Sequence, residues 1–252
     1  MDKKISAYLL PIGLLLFILI LWEIFVRVFL IPQYLLPGPS AILNFFINKG
    51  HILGVHLWVT LFEILAGFFL GAVIGILLAI AVVYSKFIER AVFPLVIMFQ
   101  AVPKVALAPI LLVWFGYGIT SKLAVAFLLT FFPITVSTAN GLIAIEPELL
   151  DLVRSMKATE WQVFRKIRIP RSLPYMFNGF QLGITASVIA AIIAEFVGAE
   201  KGLGYLILIA SNEQNTPMMF ASFAILAIVG LILFRLVVVI ERFAIPWHFT
   251  EE

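Results

Sequence analysis

Lysine, glutamate and histidine can bind an ion, move a proton or grip a charged solute, and in this 252-residue chain several of them sit in apolar company. Lys104 follows Pro103 directly and precedes Pro109 by five residues, in an apolar run that also holds Gln100. Glu63 and Glu195 each interrupt another such run. A lysine at mid-membrane depth costs about 3 kcal/mol on insertion scales, so it must snorkel, pair or face a wet cavity. The chemistry on offer is the handling of a solute or ion. His51, His56 and His248 are scattered and form no HExxH pair, cysteine is absent, and no glycine loop fits the GxxxxGK[ST] phosphate cradle. The chain therefore reads as a non-enzyme without a metal or cofactor and without a nucleotide site of its own.

The elements that hold these residues follow from composition. The chain is 63% hydrophobic and 12% charged, with a mean hydropathy of +1.14. Soluble domains carry about 25% charged residues. Half that charge cannot solvate a water-facing surface, so bilayer hydrocarbon is the expected solvent. Six apolar segments approach the roughly 20 residues that a crossing helix needs, at about 8–30, 55–83, 90–113, 122–145, 172–197 and 218–241. In lipid the backbone must satisfy its own hydrogen bonds, which makes the spans helices and the fold an all-α integral membrane protein. The first span lacks a small-residue cleavage site and reads as uncleaved. No internal repeat or linker is visible, and one membrane domain over 1–252 is expected.

Charge gives the orientation. Lys3, Lys4, Lys86, Arg90, Arg154, Lys157, Arg165, Lys166, Arg168, Arg171 and Arg242 fall on one side of a six-span arrangement, against Lys49, Lys122 and Lys201 on the other. Eleven against three is a strong positive-inside bias, which places both termini of a multi-pass protein in the cytoplasm. Glu23 and Arg27 are four apart and predict an ion pair within span one. Glu63 has no obvious partner, and Glu195 lies near the outer end of span five. Pro32, Pro37 and Pro39 stop the first helix, and Ser40 is placed to cap a short interfacial helix at about 41–48.

Two regions carry mechanism. The third span holds Pro94, Pro103 and Pro109 beside Lys104 and is expected to break; broken helices at membrane depth line cavities, so the solute pathway is placed near Gln100, Pro103 and Lys104, with pairing of Lys104 to Glu195 or Glu63 as the structural alternative. Span two has a small residue at every fourth position, Gly67, Gly71, Gly75 and Ala79, a flat face for packing within the subunit or against a second one. The cytoplasmic loop 146–171 holds six of the inside positive charges. Pro147 opens one short amphipathic helix there. Thr159 with Gln162 forms a capping box for a second, which Pro170 and Pro174 end. Such a hairpin suits either anionic lipid or a docking protein.

The hairpin resembles the EAA loop of binding-protein-dependent ABC importer permeases, whose pattern is Glu-Ala-Ala, three residues, Gly, nine residues, Ile-x-Leu-Pro. Ile167-Arg-Ile-Pro170 fits its end, Asp151-Leu-Val153 replaces Glu-Ala-Ala, and Lys157 stands where the family has glycine. The stretches Ile31–Ala41, Pro103–Pro109 with Trp114-Phe-Gly-Tyr-Gly, Phe131-Phe-Pro-Ile134, Ala194-Glu-Phe-Val-Gly198 and Gly202-Leu-Gly-Tyr-Leu206 are similar to the sulfonate, taurine and nitrate permease subfamily, which also includes thiamine-precursor and riboflavin permeases.

The resemblance implies a type I ABC importer permease fold and a permease homodimer. It implies two cytoplasmic ATPase subunits gripping Asp151, Arg154, Ser155, Met156, Lys157 and Ala158, and a periplasmic or extracellular binding protein, with the outer loop at Gly202, Leu203 and Gly204 lying near that protein or an outer gate. Glu195 joins the pathway residues. The setting it implies is the bacterial plasma membrane, with lipid as the surrounding partner and no nucleic acid. Lysine at the turn position of the hairpin makes a left-handed backbone costly. A sulfonate-like or nitrate-like anion suits Lys104 and is the first expectation for the substrate, with a pyrimidine or flavin-like solute close behind. A stand-alone secondary transporter is the alternative; it should show inverted repeats, and none is visible.

Overall fold

A computed structural model describes the backbone of residues 2–249 and the side chains of residues 10–247; Lys3, Lys4 and His248 of the sequence reading lie outside the described side chains. Among the described residues the architecture is helical throughout. Helix α1 (Asp2–Val28) carries an apolar window, Leu10–Val28, none of which is buried by the rest of the chain. It ends in a left-handed residue, Leu30 (φ 48°), and the prolines that follow keep the next segment out of a helix. The Glu23–Arg27 pair forms at 2.7 Å, as the spacing predicts.

Helix α2 (Pro39–Tyr84) corrects two expectations at once. The short interfacial helix at 41–48 and the span at 55–83 are one helix of 46 residues, about 69 Å long at 1.5 Å per residue. Gly50 and Gly54 cost the helix about 1 kcal/mol each. The continuous face of Ile42, Phe45, Phe46 and Leu53 offsets that by packing against Leu203, Ile207 and Met218. Gly38, not Ser40, is the N-cap residue. The Glu23 carboxylate caps from outside, accepting the Ser40 N–H at 3.0 Å and the Ser40 hydroxyl at 2.7 Å, and so ties α1 to α2.

A π-turn (Ile88–Val92) leads into α3 (Phe93–Gln100), and a 3₁₀ turn (Lys104–Leu107) leads into α4 (Ala108–Phe115). The two arms meet at 93° across residues 101–103, so the third segment is broken where its prolines predict. Helix α5 (Ile119–Ile143) is the centre of the fold. The glycine face of α2 packs onto it within the subunit: a Cβ at Gly67 would stand 2.2 Å from Ala126 Cβ, and at Gly71 and Gly75 it would stand 2.8 Å from Thr130 and 2.9 Å from Thr135. Among the described residues five helices are long and apolar enough to cross a membrane, or six if the bent pair counts as one span.

The hairpin is α6 (Pro147–Ser155) and α7 (Glu160–Val163), with Pro147 at the first helical position and both halves of the Thr159–Gln162 capping box formed. The expected stop at Pro170 and Pro174 does not occur. From Glu160 the chain runs through a π-turn (Phe164–Arg168) into α8 (Ile169–Gly198), 39 helical residues in all. The π-turn shifts the bonding register, with Ile169 N–H reaching the Phe164 carbonyl, so the proline that follows sits in the helix instead of ending it. The segment after α8, read from sequence as the outer loop, holds α9 (Leu203–Asn212), and α10 (Thr216–Ala244) closes the bundle.

Candidate functional site

At the end of the bundle away from the hairpin, α2 contributes His56, Thr60 and Glu63, at i, i+4 and i+7 on one face. These three meet the last turns of α8 and the start of α9. The first N–H groups of a helix lack intrahelical partners, and here three consecutive ones are claimed by side chains. His56 Nδ1 stands 3.0 Å from the Gly202 N–H and 3.1 Å from the Gly202 carbonyl, accepting from the first or donating to the second according to its tautomer. Leu203 N–H donates to Thr60 Oγ1 (2.8 Å), and Gly204 N–H donates to Glu195 Oε2. The Thr60 hydroxyl donates in turn to Glu195 Oε1 at 2.6 Å. Gly202 takes a backbone only glycine adopts readily (φ 124°, ψ 164°), and a Cβ there would lie 2.2 Å from the Glu195 carboxyl carbon. The two glycines form the cradle into which the carboxylate fits. Beside it Lys122, at the start of α5, donates to Glu63 Oε1 at 2.7 Å with both side chains buried.

The structure thus brings Glu195 together with Gly202, Leu203 and Gly204. It separates that group from Gln100, Pro103 and Lys104, with which it shares no partner. Those three lie at the 93° bend: Gln100 and Pro103 are exposed, and Lys104 is half-buried. Lys104 does not pair with Glu195 or Glu63. Its ammonium donates to the Gln100 carbonyl at 2.8 Å and stands 5.0 Å over the Phe132 ring, a cation–π contact. Glu63, which sequence reading left without a partner, has Lys122.

At the other end the hairpin turn is a Schellman motif. Lys157 N–H bonds the Arg154 carbonyl (2.9 Å) and Ala158 N–H the Val153 carbonyl (3.1 Å), with Lys157 itself left-handed at φ 58°. The tight turn survives with lysine where the resembling family has glycine. Arg154 bridges the turn to Glu160 at 3.0 Å. Asp151, Arg154, Ser155, Met156 and Lys157 are exposed and Ala158 half-buried. Leu152, Met156 and Trp161 expose 58%, 75% and 66% of their surfaces, an apolar strip that water does not favour. The Arg168 guanidinium reaches back to the Leu142 carbonyl (2.8 Å), fastening the base of the hairpin to the end of α5.

A family model described as "Binding-protein-dependent transport system inner membrane component" matches residues 71–245. The chain belongs to this family. Among curated relatives, this permease is 38% identical to the formylaminopyrimidine transport permease protein ThiX of Halalkalibacterium halodurans, with 98% of each chain covered. It is 35% identical to the riboflavin transport system permease protein RibX of Chloroflexus aurantiacus, over 95% of this chain and 90% of that one. A chain of the inward-facing MetNI methionine ABC transporter superposes with a TM-score of 0.66 at 23% identity, covering 76% of this permease and 95% of that chain. The fold is that of type I ABC importer permeases, and the chain is a multi-pass transport subunit rather than an enzyme. The family implies separate ATPase and binding-protein partners.

Sequence reasoning missed His56, Thr60 and Lys122. A usable signal was present: three polar residues on one face of an otherwise apolar helix must be answered by polar groups opposite them. Lys122 was read as an outer-loop charge because it stands at the very start of its span.

Proposed function

We propose that this permease acts as a homodimer with both termini in the cytoplasm, its hairpin 146–171 held by an ATPase subunit and its α9 end facing a solute-binding protein. The observation that carries this reading is the exposed strip on the hairpin. Asp151, Arg154, Met156 and Lys157 stand out from a turn locked by two backbone bonds and a capping box. A rigid, exposed and partly apolar element suits a protein partner better than solvent. ATP-driven closure of the ATPase pair would move the hairpin and, with it, α8.

For the solute we favour a small nitrogen heterocycle over a sulfonate or nitrate. Lys104, the charge that suited an anion, is already engaged by the Gln100 carbonyl and the Phe132 ring. The concavity at the α9 end bears carboxylates, and the two named relatives above carry pyrimidine and flavin in their descriptions. The test is uptake into vesicles holding the permease, its ATPase and its binding protein. ATP-dependent accumulation of a labelled aminopyrimidine or flavin is expected, and a double substitution of Asp151→Ala with Arg154→Ala should leave membrane insertion intact while abolishing uptake. Undiminished uptake in that variant refutes the docking assignment; uptake of taurine but of no heterocycle refutes the substrate.

A further inference from the structure

The α9 end of the bundle opens into a cavity of about 730 Å³ between α2, the start of α5 and the end of α8. Sites for small organic molecules fall between about 300 and 1,000 Å³. Tyr117 and Tyr205 supply flat walls, and Glu63, Lys122 and Glu195 lie along the lining. The hydrogen bonds there do not close. Lys122 satisfies Glu63 Oε1, and Thr60 and Gly204 satisfy Glu195, but Glu63 Oε2 accepts nothing although the residue is fully buried. The Glu195 carboxyl stands within hydrogen-bonding reach of Glu63, so apart from a proton shared by the two carboxyls no donor of the described residues reaches this oxygen. A buried acceptor left unsatisfied costs about 1–3 kcal/mol, more when charged. Neither the capping of α9 nor the pairing with Lys122 uses this oxygen.

We propose that the cavity is a station for the transported solute within the permease, and that Glu63 Oε2 recognises an N–H donor carried by a small flat ring. The inference rests on the heterocycle reading above and deepens it. Three carboxyl groups along the lining (Glu63, Glu195 and Glu200) against two ammoniums (Lys122 and Lys201) disfavour a sulfonate and favour an amine or amidine edge, which gives the missing donor. The tyrosine walls accept a ring face.

The experiment is equilibrium dialysis of the permease assembled with its ATPase in lipid nanodiscs, without binding protein. The probes are labelled 4-amino-2-methylpyrimidine and 2-methylpyrimidine, which lacks the amino donor. The amino compound is expected to bind at least tenfold more tightly. E63Q should weaken it at least tenfold, because the introduced amide itself donates toward Glu195 and fills the gap. Val59→Trp, on the cavity lining four residues before Glu63, should weaken it by occupying the space. Equal affinity for the two pyrimidines, binding of neither, or full affinity in both variants overturns the proposal. If neither variant folds, the pair of pyrimidines on the unaltered protein still decides. Should ATP-driven uptake of the heterocycle persist while the nanodisc complex binds neither probe, this station fails and the permease reading stands.

Discussion

Substituting Gly202→Ala attacks the α9 junction in two separable ways. The backbone at φ 124°, ψ 164° lies in a region essentially reserved for glycine, where another residue costs about 1–3 kcal/mol. The new Cβ would also sit 2.2 Å from both the Glu195 carboxyl carbon and Oε1, so the carboxylate must leave its cradle. That strips the Gly204 N–H and the Thr60 hydroxyl of their acceptor, about 1–3 kcal/mol more. The sum is about 4 kcal/mol, or roughly a thousandfold in the equilibrium for opening α9. Hydrogen exchange of peptides covering 203–212 should accelerate by about that factor, while Gly230→Ala, whose Cβ would find 3.9 Å of clearance, should leave exchange unchanged. In a Glu195→Ala background the collision has nothing to strike, so Gly202→Ala should then cost only its backbone share, a coupling of about 2 kcal/mol. Strict additivity of the two substitutions would refute the cradle argument.

Three further outcomes are expected. Lys157→Gly removes a left-handed lysine and should stabilise the hairpin turn by about 1 kcal/mol, read as several-fold slower proteolytic nicking between α6 and α7 in inside-out vesicles. Lys122→Met leaves Glu63 buried without its countercharge and should cost about 3–5 kcal/mol, seen as a lower melting temperature by tryptophan fluorescence; adding Glu63→Met should restore most of it, since a buried pair replaced by apolar residues is near neutral. Gly67→Val should block the approach of α2 to α5 and abolish accumulation in the membrane, whereas Gly54→Ala, which meets open space, should be tolerated or mildly stabilising, as immunoblots of membrane fractions would show.

Much of the fold was legible because lipid simplifies the reading. Apolar runs long enough to cross must be helices, and Pro103 with Lys104 marked the break in the third one. Pro147 and the Thr159–Gln162 box marked the hairpin because they act through their nearest neighbours in the chain. The errors fell where distant contacts or a shift of bonding register overrode local signals. The sequence reading separates a short helix at 41–48 from the span at 55–83, but α9 and α10 pack across that stretch and it stays one helix. Pro170 and Pro174 argued for a stop, but the π-turn at Phe164–Arg168 absorbs Pro170, and Pro174 sits inside the helix that continues. At the site, Glu195 and the Gly202–Gly204 glycines were visible as unusual residues, yet their meeting with His56 and Thr60 joins positions well over a hundred residues apart, and no local pattern encodes that.

The unbroken run from Glu160 to Gly198 has a mechanical meaning. Trp161 at its foot and Glu195 near its tip belong to one rod, separated by 34 residues or about 51 Å. A tilt of about ten degrees imposed at the foot would sweep the tip through about 9 Å if the rod stays straight. The cap on α9 hangs from that tip. In the proposed function, a lever of this length would convert a small pull at one surface of the membrane into a displacement wide enough to uncover a solute at the other, with no relay of side chains in between.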